Sequence, residues 1–426
     1  MIHEFSRIDR IKGKLKLPGD KSISHRAVMF SGLADGKSVI RNLSEGEDVK
    51  STQKCFMQMG IEINKKSDFV EVIGKGFKGL RKPSAPLDAG NSGTTTRLIS
   101  GILAAQDFES VIIGDESLSV RPMKRIISPL SLMGARIEAA GNFTLPLKIF
   151  PAKKINPIQY ELPIASAQIK SAVILAGLHS DETTAVIESV SSRNHTEKML
   201  NLTHELKDSK NIIYVSKKNY PEPKEYFVPG DISTAAFLIV LALLTKNSFL
   251  KIEDVTLNET RSGILKVLIE MGGNIEIENR KENSGEVYGD IVVQGSRLHN
   301  VEIHPGIIPN IIDEIPVLSV AGILADGDFK IKNASELRGK ETDRIKAVCS
   351  NMKLLGLETE EYEDGFKVSG NIGNNKAAFE SFGDHRIAMA FSVLSLLLKQ
   401  GGSVNNFGCV NISNPQFLEQ LKKITG

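Results

Sequence analysis

The chain holds only three cysteines, Cys55, Cys349 and Cys409, and no Cys-x-x-Cys spacing occurs among its 426 residues. That excludes a disulfide scaffold and a paired-thiol motif, and it fits a reduced cytosol. Net charge is scarce too. Lys plus Arg number 53 against 51 Asp plus Glu, which leaves +2. A surface that tracks a nucleic-acid backbone needs a basic excess, so no nucleic-acid partner is expected and any basic site must be local. No apolar run approaches the roughly 18 residues that cross a bilayer, so no membrane association is expected. Met1 to Lys16 alternates charged and apolar residues without the apolar core of a secretory leader. A cytoplasmic location is the expectation.

Common cofactor motifs are missing as well. Gly74-Lys-Gly76-Phe-Lys-Gly79 has dinucleotide-fingerprint spacing, but Pro83 and Pro86 follow where that motif must open a helix. His204-Glu205 lacks the second histidine of a zinc protease, and no Gly-x-x-x-x-Gly-Lys-Ser/Thr occurs. The dinucleotide, zinc-protease and P-loop readings therefore fail.

What is present is repetition. A polar start, an apolar helix, a short turn and a strand recur over Ser22–Leu43, Ser92–Leu118, Ser166–Val190, Asp231–Val255, Asp313–Ser335 and Asp384–Val410. The turns fall near Gly36, Asp107, Asp181, Asn247, Gly327 and Gly401, at intervals of about 66 to 80 residues. Each start offers Ser or Asp, which cap free backbone N–H groups. A second helix per unit ends on Met59-Gly60, Met133-Gly134, Met271-Gly272 or Leu355-Gly356, where glycine supplies a left-handed stop. The third unit lacks this glycine and passes from Leu206 through Lys-Asp-Ser-Lys to a strand at Ile212–Val215. The sixth ends at Gly426, where its own would fall.

Units this long exceed those of ordinary solenoids, so two domains of three units each are expected. The Pro- and Gly-containing stretch Lys217–Gly230 reads as a hinge. The expected division is 14–227 for one domain, and 1–13 with 228–426 for the other, with the N-terminal strand pairing into the second half. Fold class is α/β, an inside-out α/β barrel of repeats in each domain.

The informative side chains gather at helix starts. Asp20-Lys-Ser-Ile-Ser-His-Arg26 places Lys21, Ser22 and Arg26 at a helix N-terminus, which favours anions through free N–H groups and the helix dipole. Gly90-Asn-Ser-Gly-Thr-Thr-Thr-Arg97 carries Asn91, Gly93 and Arg97, and Arg121-Pro122 follows. Ser166-Ala-Gln168 precedes Arg193-Asn-His195. Lys340-Glu-Thr-Asp-Arg344 and Asp384-His-Arg386 complete the set. Pseudo-symmetric packing would turn these ends to one interdomain cleft rich in Lys and Arg, suited to substrates with several carboxylates and phosphates. Asp313 and Glu341 are poor choices for anion binding, so acid–base work or a bond to a substrate hydroxyl is their better reading.

These motifs, in this order and over nearly the whole chain, resemble the enolpyruvyl transferases, in particular those acting on shikimate 3-phosphate. The resemblance implies two domains of three βαβαββ repeats with the active site in the interdomain cleft. It implies a monomer that transfers the enolpyruvyl group of phosphoenolpyruvate, without cofactor or metal. By the same resemblance Lys21, Ser22, Arg26, Ser166, Ala167, Gln168, Arg193, Asp313 and Lys340 contact shikimate 3-phosphate. Lys21, Asn91, Gly93, Arg121, Gln168, Arg344, His385 and Arg386 contact phosphoenolpyruvate. Asp313 is the base toward the 5-hydroxyl, and Glu341 and Lys21 are the candidates for the remaining proton transfers.

The chain departs from some members. Ala167 stands where they have a second serine, and Arg193 stands in a loop where they use Ser and Tyr, supplying a compensating charge. Glu336 replaces an asparagine, and Ile412 replaces a lysine three residues before Pro415. Members acting on UDP-N-acetylglucosamine carry a reactive cysteine five residues before the arginine of Arg121-Pro122. Glu116 stands there instead. A non-catalytic binding protein would not need Asp313 and Glu341 among so many cations.

Overall fold

The computed structural model describes residues 2–374 and 376–425. It divides the chain into two compact domains. The central domain is Gly19–Val228 with the turn Glu282–Glu286. The terminal domain takes the residues up to Pro18, Pro229–Lys281 and those from Val287 onward. The first boundary falls after Pro18 rather than Gly13, because Lys12–Lys16 is a strand paired parallel with Phe249–Thr256.

Six helices open the repeats: Lys21–Leu33, Gly93–Leu103, Ala167–Gly177, Ile232–Leu244, Ile315–Ile323 and His385–Leu397. Asp20, Ser92, Ser166, Asp231 and Asp384 cap five of them, each accepting from a backbone N–H of the first turn. The first cap is thus Asp20, not Ser22, which lies inside the helix. Asp313 is not a cap either. A short helix Ile308–Ile311 precedes it, and the fifth repeat helix starts at Ile315, where Pro316 supplies a fixed φ in the first turn.

These helices are buried on nearly every face. Ile232 to Leu243 is buried throughout, and so is His385 to Leu396. Such a helix belongs inside a domain rather than on its surface. The three opening helices of the terminal domain touch one another pairwise. In the central domain Gly93–Leu103 touches both of the other opening helices.

Sheets supply the rest of each repeat in one order. Asp35–Arg41 pairs antiparallel with Phe69–Lys75, which pairs with Glu62–Lys65, and Glu225–Phe227 lies parallel on the other edge. The same arrangement recurs around Ser110–Ile113, Thr184–Glu188 and Phe249–Thr256. Just before Phe329–Ile331, Asp326 makes an isolated parallel bridge with His299 in place of a full edge strand. Among the described residues no hairpin follows Gly402–Asn405, and the strand His3–Phe5 pairs antiparallel with it instead. This is the fold that the repeat count led us to expect.

Two local readings change. The stretch read as a hinge does hold the domain boundary, between Val228 and Pro229, but just before it the strand Glu225–Phe227 is built into the first repeat's sheet. In the third repeat the helix is the short His195–Met199, and Leu206 lies in a strand. There Asp208 and Ser209 take positive φ of 50° and 62° and turn His204–Lys207 back onto Lys210–Val215. The glycine stops at Gly60, Gly134, Gly272 and Gly356 have φ of 90°, 93°, 94° and 79°. Gly426 lies outside the described residues.

Close helix packing in the central domain depends on Gly101. A Cβ there would stand 2.2 Å from the Ala172 carbonyl oxygen of the neighbouring helix. Gly101→Ala forces two buried backbones apart, an overpacking that costs about 1–3 kcal/mol. Thermal unfolding should fall by several degrees, and an unchanged midpoint would show that the helices separate freely.

Candidate active site

The candidate residues form one cluster in each domain. In the central domain the cluster is built on the starts of the three opening helices. Lys21 Nζ donates to Asp48 Oδ2 at 2.9 Å. Arg26 is 3% exposed; its Nε donates to Thr196 Oγ1 at 2.7 Å and its Nη2 to Ser171 Oγ at 2.8 Å. Burial lowers its pKa to about 10, opposed by Glu197, Asp20 and Glu286, while Arg193 lowers it further. Arg26 and Arg193 therefore bring like charges together, as an anion-binding surface does.

Arg97 and Gln168 tie the second repeat to the third. Arg97 Nη1 donates to Gln168 Oε1 at 2.9 Å, and Gln168 Nε2 donates to Thr94 Oγ1 at 3.1 Å. Arg121 Nη2 donates to Asn91 Oδ1 at 2.9 Å and to Ser117 Oγ at 3.1 Å. A Cβ on Gly93 would lie 2.6 Å from Arg97 Nη1 and 3.6 Å from Arg121 Nη1. Glycine at this position leaves the Arg97 guanidinium its place, while Arg121 would be only in ordinary contact. Ser22, Ser166, Ala167, Gln168 and Arg193 are all half-buried, at helix starts or in the loop before His195–Met199.

Beneath this surface runs a hydroxyl chain. His25 Nδ1 meets Thr52 Oγ1 at 2.7 Å, Thr52 meets Thr95 at 2.7 Å, and Thr95 donates to Ser92 Oγ at 2.7 Å. It links the first two helix starts through side chains whose charge is zero. Burial pushes the His25 pKa well below its usual value, and Lys21 and Arg26 push it the same way.

In the terminal domain Arg344 is the hub. It is 1% exposed and donates to Asp384 Oδ2 at 2.7 Å, Asp313 Oδ1 at 3.1 Å and Glu341 Oε2 at 2.6 Å. Burial alone would lower its pKa, but Asp384, Glu341 and Asp313 outweigh burial and raise it. Asp384 also caps the helix His385–Leu397, so one carboxylate fixes both the helix start and the arginine. Lys340 Nζ lies 3.5 Å from Asp313, and Arg386 Nη1 donates to the Asp313 carbonyl at 3.2 Å. His385 is buried beside them.

Sequence reasoning missed several partners. Asp48 meets Lys21 from the second helix of the repeat. Glu314, fully buried, accepts from Arg261 Nη1 at 2.9 Å and lies 3.6 Å from Arg386 Nη1. Lys170, fully buried, pairs with Glu188 and Glu197 at 2.7 Å each. The terminal cluster is therefore not the cation surplus read from sequence, since Glu314, Asp313, Glu341 and Asp384 answer its arginines. No signal in the sequence could have found these pairs, whose members lie far apart along the chain. Among the described residues no group of His, Cys, Asp and Glu is placed to hold a metal ion.

Helical barrels wrapped by small mixed sheets, with basic residues at helix starts, place the chain in the architecture of enolpyruvyl transferases. An enolpyruvyl transferase from Streptomyces tendae shares that fold at a TM-score of 0.77 and 14% identity, covering 99% of this chain and 96% of that one. The sequence model of EPSP synthase (3-phosphoshikimate 1-carboxyvinyltransferase) matches residues 5–421, and the chain belongs to that family. A 3-phosphoshikimate 1-carboxyvinyltransferase of Petrotoga mobilis is 47% identical over 99% of both chains. One from Alkaliphilus metalliredigens is 43% identical, covering 98% of this chain and 99% of the other. The EPSP synthase structure from Acinetobacter baumannii superimposes at a TM-score of 0.86 with 37% identity, covering 99% of this chain and 97% of that one.

The neutral buried histidines make stability depend on pH. His25 is pushed well down and burial pushes His179 to about 4, both below the unfolded value near 6.5. A folded-state pKa below the unfolded one gives stability that is complete above pH 6.5 and lost as pH falls, because the unfolded chain binds the proton first. Between pH 7 and 5.5 each should cost about 1 kcal/mol of unfolding free energy. Denaturant titrations at the two pH values should show that loss, and His25→Gln should reduce it by roughly half. An undiminished loss in the variant would assign the dependence elsewhere.

Proposed function

We propose that the protein transfers the enolpyruvyl group of phosphoenolpyruvate to the 5-hydroxyl of shikimate 3-phosphate and releases phosphate. This is the sixth step of the shikimate pathway, toward chorismate and the aromatic amino acids. The observation that carries the reading is the pair of carboxylates Asp313 and Glu341 on one buried arginine, with Lys340 and Arg386 beside Asp313. A site meant only to hold anions gains nothing from them. The full-length kinship with EPSP synthases supports the same conclusion.

The bonds balance without a redox step. The 5-hydroxyl oxygen bonds to C2 of phosphoenolpyruvate, its proton passes to Asp313, and C3 gains a proton to become a methyl group. That yields a tetrahedral intermediate whose C2 carries both the phosphate oxygen and the shikimate 5-oxygen. C3 then loses a proton, the double bond re-forms, and the C2–O bond to phosphate breaks. Glu341 and Lys21 are the candidates for the transfers at C3 and at the leaving phosphate. Lys340 and Arg344 lie 3.5 and 3.1 Å from Asp313 Oδ1, so its carboxylate is held in place where the 5-hydroxyl proton is to be taken.

In this reading shikimate 3-phosphate is held by Lys21, Ser22, Arg26, Ser166, Ala167, Gln168, Arg193, Asp313 and Lys340. Phosphoenolpyruvate is held by Lys21, Asn91, Gly93, Arg121, Gln168, Arg344, His385 and Arg386. The buried ion pairs have a physical use here. Arg344 is held by three carboxylates before any substrate arrives, so its direction costs no reordering during the reaction. The working form is a cytoplasmic monomer that needs no cofactor. Among the described residues no single helix is long and apolar enough to cross a membrane.

Phosphate release is the test. It should require both phosphoenolpyruvate and shikimate 3-phosphate, and no release with both together would remove the assignment. Asp313→Asn should lower kcat by about 10²–10⁴ while leaving shikimate 3-phosphate binding within a few-fold. Equal losses in turnover and binding would make Asp313 a binding group instead.

A further inference from the structure

Lys170 has no part in the chemistry above, yet it is the most completely enclosed lysine of the central domain's opening helices, with none of its side chain exposed. Its Nζ lies 2.7 Å from Glu188 Oε2, 2.7 Å from Glu197 Oε1 and 3.3 Å from the Ser192 carbonyl oxygen. Glu188 ends the strand Thr184–Glu188, and Glu197 sits in the helix His195–Met199. One ammonium thus joins both ends of the connection that carries Arg193. Glu188 tightens it by accepting from the Ser192 backbone N–H at 3.3 Å and from Ser192 Oγ at 3.1 Å.

The far end of the segment is fastened as well. Thr196 Oγ1 accepts from Arg26 Nε and meets Ser171 Oγ at 2.7 Å, one residue beyond Lys170 in the same helix. His195 Nδ1 meets Glu286 at 2.8 Å. Arg193 is therefore flanked by a fixed residue on one side and a fixed helix on the other, and at Arg26 the nearby Glu197 opposes the like charge of Arg193.

Stability alone is a weak reason for such a cluster. Removing ions from water costs several kcal/mol each, and an apolar substitute for a buried ion group is often neutral or better. What ions supply that apolar groups do not is direction. We propose that Lys170 is a positioning residue for shikimate 3-phosphate: through Glu188, Glu197 and Ser192 it sets the loop that presents Arg193 to the substrate. The proposal rests on the enolpyruvyl-transfer reading above. Lys170 touches no substrate, and it lies two residues beyond Gln168, so one helix aims its own first turn and the arginine loop together.

The test separates geometry from folding. Phosphate release by the full chain gives KM for each substrate and kcat, alongside thermal unfolding, for wild type, Lys170→Met, Arg193→Ala and the double variant. Lys170→Met should raise KM for shikimate 3-phosphate roughly tenfold and leave KM for phosphoenolpyruvate within about twofold. Arg193→Ala should show the same selectivity, and the double variant should be no worse than Arg193→Ala, since the two act through one contact. Should Lys170→Met not fold, Ser192→Ala removes a single hydroxyl from the clamp and should raise KM for shikimate 3-phosphate about threefold with the same selectivity. Equal rises in both KM values overturn the proposal. So does a lowered unfolding temperature with both KM values unchanged, or a double variant whose defects multiply. Failure of wild type to release phosphate would strike the functional reading itself, which the variants do not test.

Discussion

A helix buried on every side can present polar groups only at its ends, and that constraint organises the molecule. The opening helices sit inside the sheets and are largely apolar along their length, as Ile232–Leu244 shows most fully, with Arg26 and Lys170 near two starts paired with buried partners. Each N-terminus then leaves backbone N–H groups in need of an acceptor, which Asp20, Ser92, Ser166, Asp231 and Asp384 supply. The residues next to those caps are the places where the chain can set chemistry without disturbing the core. Lys21, Gly93, Gln168 and Arg386 all occupy them.

The two domains use the same scaffold with different electrostatics. In the central domain most candidate cations are bonded to neutral oxygens, as Arg26 is to Thr196 and Ser171, and Arg121 to Asn91. Such bonds hold direction without cancelling charge. In the terminal domain Arg344 is bonded to carboxylates alone among its side-chain partners, and Arg386 lies between Asp313 and Glu314. There the charge is balanced, and what the arginines supply is orientation of the acids.

How much of this was legible depended on sequence distance. Caps, glycine stops and helix periodicity are local, and they could be read because the physics acts within one turn. Asp313 was misread as a helix start because Pro316, three residues on, fixes the first turn better than an acid does. The Pro-rich stretch before Gly230 looked like a hinge because its strand, Glu225–Phe227, takes its partner from Asp35–Arg41. Lys21 with Asp48, Arg261 with Glu314, and Lys170 with Glu188 and Glu197 depend on how repeats stack, which no single stretch encodes. The cationic motifs were visible, and the carboxylates that answer them were not.

The strand His3–Phe5 completes the sheet of Gly402–Asn405, and Lys12–Lys16 completes that of Phe249–Thr256. A ribosome releases Phe249–Thr256 only after the whole segment Gly19–Val228, and Gly402–Asn405 later still. Apart from the short turn Glu282–Glu286, the central domain has all its strands once Val228 has emerged, whereas the terminal domain must hold Lys12–Lys16 unpaired until Phe249–Thr256 is made and His3–Phe5 unpaired until Gly402–Asn405 is made. Birth order and closure are therefore opposed. His3–Phe5 is made before the central domain yet pairs only after it, and until then it is a solvent-exposed edge in need of a partner.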